Sequence, residues 1–308
     1  MLTNATQDTE IIERINRLRT ERKAVILAHN YQYGEVQDVA DFVGDSLELS
    51  RKAAATDAEV IVFCGVHFMA ETAYILSPDK KVIMPDVHAG CPMADMITAE
   101  RLREKKAQHP GAAVVCYVNS TAEVKAESDI CCTSANAVKV VQSIPNDREI
   151  IFVPDKYLGM HVMKQTGRQM ILWEGFCPTH MRITATKIEE LKEKYPDAVV
   201  MVHPECRPET QAMADHILST GGMCRMAQES NAVDFIVGTE TGIIHRMRKE
   251  NPQKRFHAVS DLAVCPNMKM TTLEKVLWSL EDLEVEITVP EDIRVKAWNA
   301  VDRMLQLK

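Results

Sequence analysis

The chain is predicted to be an α/β protein of three homologous units. Each would be a three-layer αβα sandwich with a short parallel sheet, grouped about a pseudo-threefold axis with the active site in the central cavity. Two observations predict this. First, the Cys-Pro dipeptides Cys91-Pro92, Cys177-Pro178 and Cys265-Pro266 lie 86 and 88 residues apart, the spacing of one unit used three times. Second, the same landmarks precede each of them in the same order. An unbroken apolar run passes into polar residues, a hydroxyl cluster follows, and a second apolar run comes next. Alternating short strands and helices of this kind imply βαβαβ layers.

The elements follow from hydrophobic period. Ile11, Ile12, Ile15 and Leu18 share one face of an N-terminal helix. Residues 24–28, 113–116 and 199–202 are continuously apolar, as strands covered on both faces must be. They lead into His29-Asn30-Tyr31, Tyr117-Val118-Asn119 and His203-Pro204-Glu205. Val36, Val39, Ala40 and Val43 mark a first helix, and 3.6-residue periodicity recurs at 69–76, 137–141, 158–163, 188–195 and 243–247. The hydroxyl clusters are Gly44-Asp45-Ser46, Thr133-Ser134-Ala135-Asn136 and Ser219-Thr220-Gly221-Gly222. Ser46, Ser134 and Ser219 are aligned in this reading, each a candidate helix cap. The expected divisions are 1–104 with the N-terminal helix, 105–187, 188–272, and a helical tail, 273–308, packed back on the first unit.

Composition bounds the function. A formal charge of −8 and a pI near 5.7, without blocks of Lys or Arg, argue against nucleic acid and against a polybasic membrane anchor. No apolar run approaches the roughly 20 residues that span a bilayer, and residues 1–23 are unlike a signal peptide. A cytoplasmic protein with nine reduced cysteines is the expectation.

In parallel α/β sheets, ligands bind beyond the carboxyl ends of the strands. If the three units converge there, the cavity is lined by His29, Tyr31, Ser46, Tyr117, Asn119, Ser134, His203, Glu205, Ser219 and Thr220. Helix-start hydroxyls and amides suit a small ligand with more than one acidic group. Cys64, Cys116, Cys131, Cys132, Cys206 and Cys224 read as small core hydrophobes. Cys91, Cys177 and Cys265 read as three equivalent metal ligands. Three thiolates suit a cubane iron-sulfur cluster with one iron left open, or a zinc ion with an open position. Zinc sites usually draw two ligands from one short loop and no CxxC exists here, so ligands some 87 residues apart favour the cluster. His180, three residues after Cys177, is a candidate partner of that site. A different cluster-dependent dehydratase of a small hydroxy-dicarboxylate would use the same ligand set, and a structural zinc protein or anion sensor is a reading of another class.

The chain resembles the quinolinate synthases over about Lys23 to Lys269. The similarity rests on Ala28-His29-Asn30-Tyr31, Gly44-Asp45-Ser46, Gly90-Cys91-Pro92-Met93-Ala94, Tyr117-Val118-Asn119-Ser120-Thr121, Thr133-Ser134-Ala135-Asn136, Val202-His203-Pro204-Glu205-Cys206, Ser219-Thr220-Gly221, Gly238-Thr239-Glu240 and Asn267-Met268-Lys269. The resemblance implies a 4Fe-4S cluster on Cys91, Cys177 and Cys265. It also implies condensation of iminoaspartate with dihydroxyacetone phosphate to quinolinate, phosphate and water, feeding NAD synthesis. An L-aspartate oxidase or dehydrogenase would supply the imine. His29, Ser46, Ser134, Ser219 and Thr220 would bind substrate carboxylate or phosphate. Glu205 would be the principal base, with Tyr31, Tyr117 and His203 as acids or positioning partners and Asn119 as an orienter. Some members carry further cysteines before the third ligand, where this chain has Leu262-Ala263-Val264. Thiol-disulfide regulation tied to them is not expected here.

Overall fold

The computed structural model describes residues 2–307, with side chains over 8–307. The first unit runs α1 (Leu2–Glu21), β1 (Ala24–His29), α2 (Gly34–Val39), β2 (Phe42–Gly44), α3 (Ser46–Ala55), β3 (Val60–Cys64), α4 (His67–Leu76) and β4 (Lys81–Ile83). The second repeats the pattern as α5 (Ala99–Gln108), β5 (Ala113–Tyr117), α6 (Ala122–Ala126), β6 (Ile130–Cys132), α7 (Ala137–Ser143), β7 (Ile150–Val153), α8 (Lys156–Thr166) and β8 (Ile171–Leu172). The third runs α9 (Ala185–Lys194), β9 (Val199–Val202), α10 (Pro208–Gln211), β10 (His216–Ile217), α11 (Thr220–Glu229), β11 (Asp234–Gly238), α12 (Ile243–Glu250) and β12 (Arg255–Ala258). Two helices, α13 (Leu273–Asp282) and α14 (Glu291–Gln306), complete the chain.

Each sheet is fully parallel with its second strand at the edge: β2-β1-β3-β4, β6-β5-β7-β8 and β10-β9-β11-β12. The expected βαβαβ layers therefore gain a fourth strand each. Strands β2, β6 and β10 are only two or three residues long, too short for periodicity to register. Val43, read as the last apolar position of a helix, belongs to β2, because α2 stops where Ala40 turns to extended backbone.

One side chain anchors the edge of every sheet. The carboxylates of Asp41, Asp129 and Asp215 each accept the backbone N–H of the central strand, from Ile26, Val114 and Val200, at 2.8 Å. Each Asp also donates its own N–H to the carbonyl of the same residue. The Cys-Pro segments repeat as closely. Each runs into a one-turn 3₁₀ helix (Ala94–Met96, His180–Arg182, Met268–Met270) and then into α5, α9 or α13. Those helices are capped by the hydroxyls of Thr98, Thr184 and Thr272. The expected divisions at 104/105 and 187/188 fall inside α5 and α9.

The central strands β3, β5 and β7 are buried along their whole length, and one apolar core joins the first two units. The tail divides between them. Helix α13 packs on α1, α2 and β3, whereas α14 lies along α6 and β6 as well as α4. The tail, expected on the first unit, is thus shared between the first and second units. The small Ala297 and Ala300 allow α14 a close approach, and Val301 and Met304 fill the core beneath it. Among the described residues, no helix is long and apolar enough to cross a membrane.

Candidate active site

Central strands β1, β5 and β9 end in His29, Tyr117 and, one residue beyond, His203. Their carboxyl ends open on one cavity. His29, Tyr31 and Ser46 line it from the first unit, Tyr117, Asn119 and Ser134 from the second, and His203, Glu205 and Thr220 from the third, together with Cys91, Cys177 and Cys265. Ser219 alone of the expected lining is absent. Its hydroxyl caps α11 by accepting the Gly222 N–H at 3.1 Å and donates to Asp45 at 3.3 Å.

This corrects the alignment of the hydroxyl clusters by one residue in the third unit. Asp45 caps α3 through the N–H groups of Leu47 and Glu48, and Glu48 returns a bond to the Asp45 N–H. Thr133 closes its local turn by accepting the Ala135 N–H. The local duty thus falls to Asp45, Thr133 and Ser219. The following residues, Ser46, Ser134 and Thr220, present hydroxyls to the cavity.

At the centre lies the buried Glu205. It accepts the Tyr117 hydroxyl at 2.5 Å, with His180 Nδ1 at 2.8 Å and His203 Nδ1 at 3.9 Å. Burial alone would raise its carboxyl. His180 and the Tyr117 hydroxyl outweigh burial and bring it below the usual carboxylate range, so it is the ionised member of the group. Burial and the neighbouring Glu205 charge push the Tyr31 and Tyr117 phenols well above their ordinary value, so both stay protonated donors. Burial lowers His29 and His203 to about 3, leaving both neutral at physiological pH.

Hydrogen bonds assign their tautomers. His29 Nδ1 accepts the Tyr31 N–H at 3.2 Å, which leaves the ring proton on Nε2. His203 Nδ1 accepts the Glu205 N–H at 3.4 Å, so Nε2 donates to Ser134 Oγ at 3.2 Å.

Two groups missing from the expected lining enter the network. His180 stacks on His203 with ring centroids 4.8 Å apart. Thr239 bridges the Tyr31 hydroxyl, 2.5 Å away, and His180 Nε2, 2.9 Å away. The repeat held a signal for His180. The residue three beyond each Cys-Pro cysteine is Ala94, His180 or Met268, and only the middle unit places a polar group there. Asn119 Oδ1 is buried and lacks a protein partner among the described residues, a free acceptor in a cavity otherwise rich in donors.

The cysteine triad has the chemistry of a metal-binding set. No cysteine of the nine is in a disulfide. The three at the cavity accept backbone N–H bonds from equivalent turns: Cys91 from Ala94 and Met93, Cys177 from His180, and Cys265 from Met268 and Asn267. Burial pushes the Cys91 thiol up to about 12 and raises Cys177 and Cys265. Cys177 is raised further by the thiolates of both other cysteines. Three such thiolates can persist together only around a cation, and the N–H bonds to sulfur are the outer support such ligands need. Cys177, His180 and Glu205 also place ligand atoms within 4.8 Å of one another.

Comparison with known proteins agrees with this geometry. The family described as quinolinate synthetase A protein matches residues 13–306. The quinolinate synthase of Dehalococcoides mccartyi (strain CBDB1) is 63% identical over 297 residues, 96% of this chain and 98% of the relative. That of Desulforudis audaxviator (strain MP104C) is 57% identical over 97% of this chain and 98% of its own. That of Methanosarcina barkeri (strain Fusaro / DSM 804) is 55% identical over 98% and 99%. Identity of this extent leaves no unit of the cavity outside the similarity, and the chain belongs to the quinolinate synthase A family.

Proposed function

We propose that this cavity condenses iminoaspartate with dihydroxyacetone phosphate to give quinolinate, phosphate and water, with a 4Fe-4S cluster on Cys91, Cys177 and Cys265. Family membership makes the chain an enzyme of condensation and dehydration in NAD biosynthesis. The observation that carries the finer reading is the convergence of three equivalent thiols, one ionised carboxylate and two protonated phenols on a cavity drawn from all three units. When bound, the cluster would supply an open iron as Lewis acid toward the substrate nitrogen and a carboxylate.

The chain's own groups divide the remaining work by charge and protonation. His29 Nε2–H, Ser46, Ser134 and Thr220 donate to substrate carboxylate or phosphate, and backbone N–H groups at the start of α3 and α11 add to the cradle. Glu205 takes protons during isomerisation and dehydration, since it is already ionised and bonded to a donor. Tyr117, on Glu205, and Tyr31, on Thr239, return protons to departing oxygens. His203 orients Ser134, and Asn119 offers its unpaired carbonyl to a substrate N–H or O–H. An L-aspartate oxidase or dehydrogenase supplies the imine. The unpaired cysteines suit a reducing cytoplasm.

Iron and sulfide analysis of anaerobically purified variants tests the ligand set. Cys91→Ala, Cys177→Ala and Cys265→Ala should each lose the cluster and the activity, whereas Cys64→Ala and Cys116→Ala should keep both and cost only packing. Equal loss of iron from Cys116→Ala, or full iron in Cys91→Ala, would refute the assignment.

A further inference from the structure

We propose that Asn30, locked by Arg246, is a positioning residue that forces the Thr220 hydroxyl to act as a hydrogen-bond donor toward an anionic group in the cavity. The inference rests on the reading of Thr220 as part of the anion cradle, and it adds a residue outside the cavity lining.

Asn30 follows the last residue of β1 and is fully buried. Its Nδ2 donates to Thr220 Oγ1 at 2.9 Å, and its Oδ1 accepts from Arg246 Nη1 at 3.0 Å. A guanidinium has only donors, so the carbonyl end of the amide must face Arg246 and the N–H end must face Thr220. Arg246 is itself held, by the Glu250 carboxylate at 2.7 Å and the Val43 carbonyl at 3.0 Å. The amide therefore cannot turn over without stranding a buried donor against a donor.

The consequence falls on the hydroxyl. With an N–H on one of its two lone pairs, Thr220 Oγ1 is an acceptor on the protein side, and its proton must point elsewhere. Its own proton has no protein acceptor among the described hydrogen bonds, and the residue lines the cavity. A carboxylate or phosphate oxygen there satisfies it, whereas a ligand donor does not. Ser134 stands in the same state, since the His203 Nε2–H from the third unit occupies one of its two lone pairs. Two of the three equivalent hydroxyls thus have their polarity set by an N–H from a neighbouring unit.

Asn30→Asp is nearly isosteric, keeps the bond to Arg246 and reverses the bond to Thr220, whose proton must then turn inward. The loaded enzyme is titrated with pyridine-2,3-dicarboxylate, with iron and sulfide content measured alongside. Thr220→Val should weaken binding about 10–100-fold, the loss of one donor to a charged acceptor. Asn30→Asp should weaken it comparably with unchanged cluster content, and the double variant should bind no worse than the weaker single one. Undiminished affinity in Asn30→Asp beside a weakened Thr220→Val overturns the inference and leaves the cradle standing. Undiminished affinity in Thr220→Val overturns both. An equal further loss when Asn30→Asp is placed in the Thr220→Val background means that the new charge merely repels the ligand, and this too overturns it. If Asn30→Asp does not fold, Arg246→Met frees the amide to turn over. Several-fold weaker binding in that variant supports the proposal, and unchanged binding refutes it.

Discussion

Glu205→Gln separates proton transfer from every other duty of the cavity. The amide matches the carboxylate in volume, and its oxygen can still accept the Tyr117 hydroxyl that now lies 2.5 Å away. It loses the charge facing His180 at 2.8 Å and the capacity to take a proton. Loss of a general base costs ~100- to 10,000-fold in rate, equal to about 3–5 kcal/mol on the barrier. Stability should fall modestly. Glu205 is only 3% exposed, yet its surroundings outweigh burial and hold its carboxyl below the usual range, so the folded protein favours the charged form. Removing the charge forfeits that net stabilisation. The assay is quinolinate formation at saturating substrate by anaerobically purified protein, with iron, sulfide and product affinity measured on the same sample. The expected result is a rate loss of at least ~100-fold with all three other quantities near wild type. Near-native turnover would move the base to another group. Loss of iron together with activity would reassign Glu205 to metal binding beside Cys177 and His180.

Ser219 and Ser46 should part company. Ser219→Ala removes a helix cap and should cost about 0.5–2 kcal/mol of stability with little change in product affinity. Ser46→Ala should weaken affinity by about 1–3 kcal/mol with unchanged stability. Thermal unfolding and product titration on both variants decide it, and the same profile from both would refute the one-residue shift between cap and cavity hydroxyl. Lys125→Gln tests the interior of the second unit. The equivalent Gln37 donates to three carbonyls and Gln211 to two, whereas the buried Lys125 ammonium bonds the Ser120 carbonyl and lowers the buried Glu71 carboxyl. Burial already holds Glu71 above its ordinary 4.5, and loss of the cation raises it further. The native state then keeps a proton that the unfolded chain releases. Stability of the variant should therefore be greatest below pH 4.5 and fall, relative to wild type, as pH rises through the folded value. Denaturant midpoints at pH 5 and 7.5 that shift equally from wild type would refute the coupling. Glu71→Gln in the same chain should abolish the pH dependence.

The three-unit architecture was legible because each central strand is apolar on both faces and each Cys-Pro turn recurs in register. Both are patterns that a linear reading can detect. The edge strands were not, since β2, β6 and β10 are held less by their own residues than by Asp41, Asp129 and Asp215, whose side chains bond a strand distant in sequence. The cavity residues were legible at strand ends. The cap and the cavity hydroxyl were confused in the third unit because Ser219 and Thr220 are both hydroxyl residues, and only the bond from Gly222 tells them apart.

The repeat is most informative where it breaks. Structural positions stay alike across the three units: the Asp anchors, the Thr caps after each 3₁₀ turn and the cysteines. Positions at the strand ends that face the cavity diverge. The residue ending or following each central strand is His29, Tyr117 or His203, and the residue two further on is Tyr31, Asn119 or Glu205. A threefold cavity with identical walls would hold an asymmetric ligand in three equivalent orientations and offer every part of it the same groups. An asymmetric reaction needs one ionised acceptor, neutral donors and protonated phenols at different places. Its partners keep Glu205 charged against burial, while burial keeps His29 and His203 neutral and Tyr31 and Tyr117 protonated. The polarity of two of the three hydroxyls is then fixed from a neighbouring unit, by His203 on Ser134 and by Asn30 on Thr220. The units must therefore be packed together before the cavity can select an anion, which gives a physical reason for three copies to share one chain without flexible linkers.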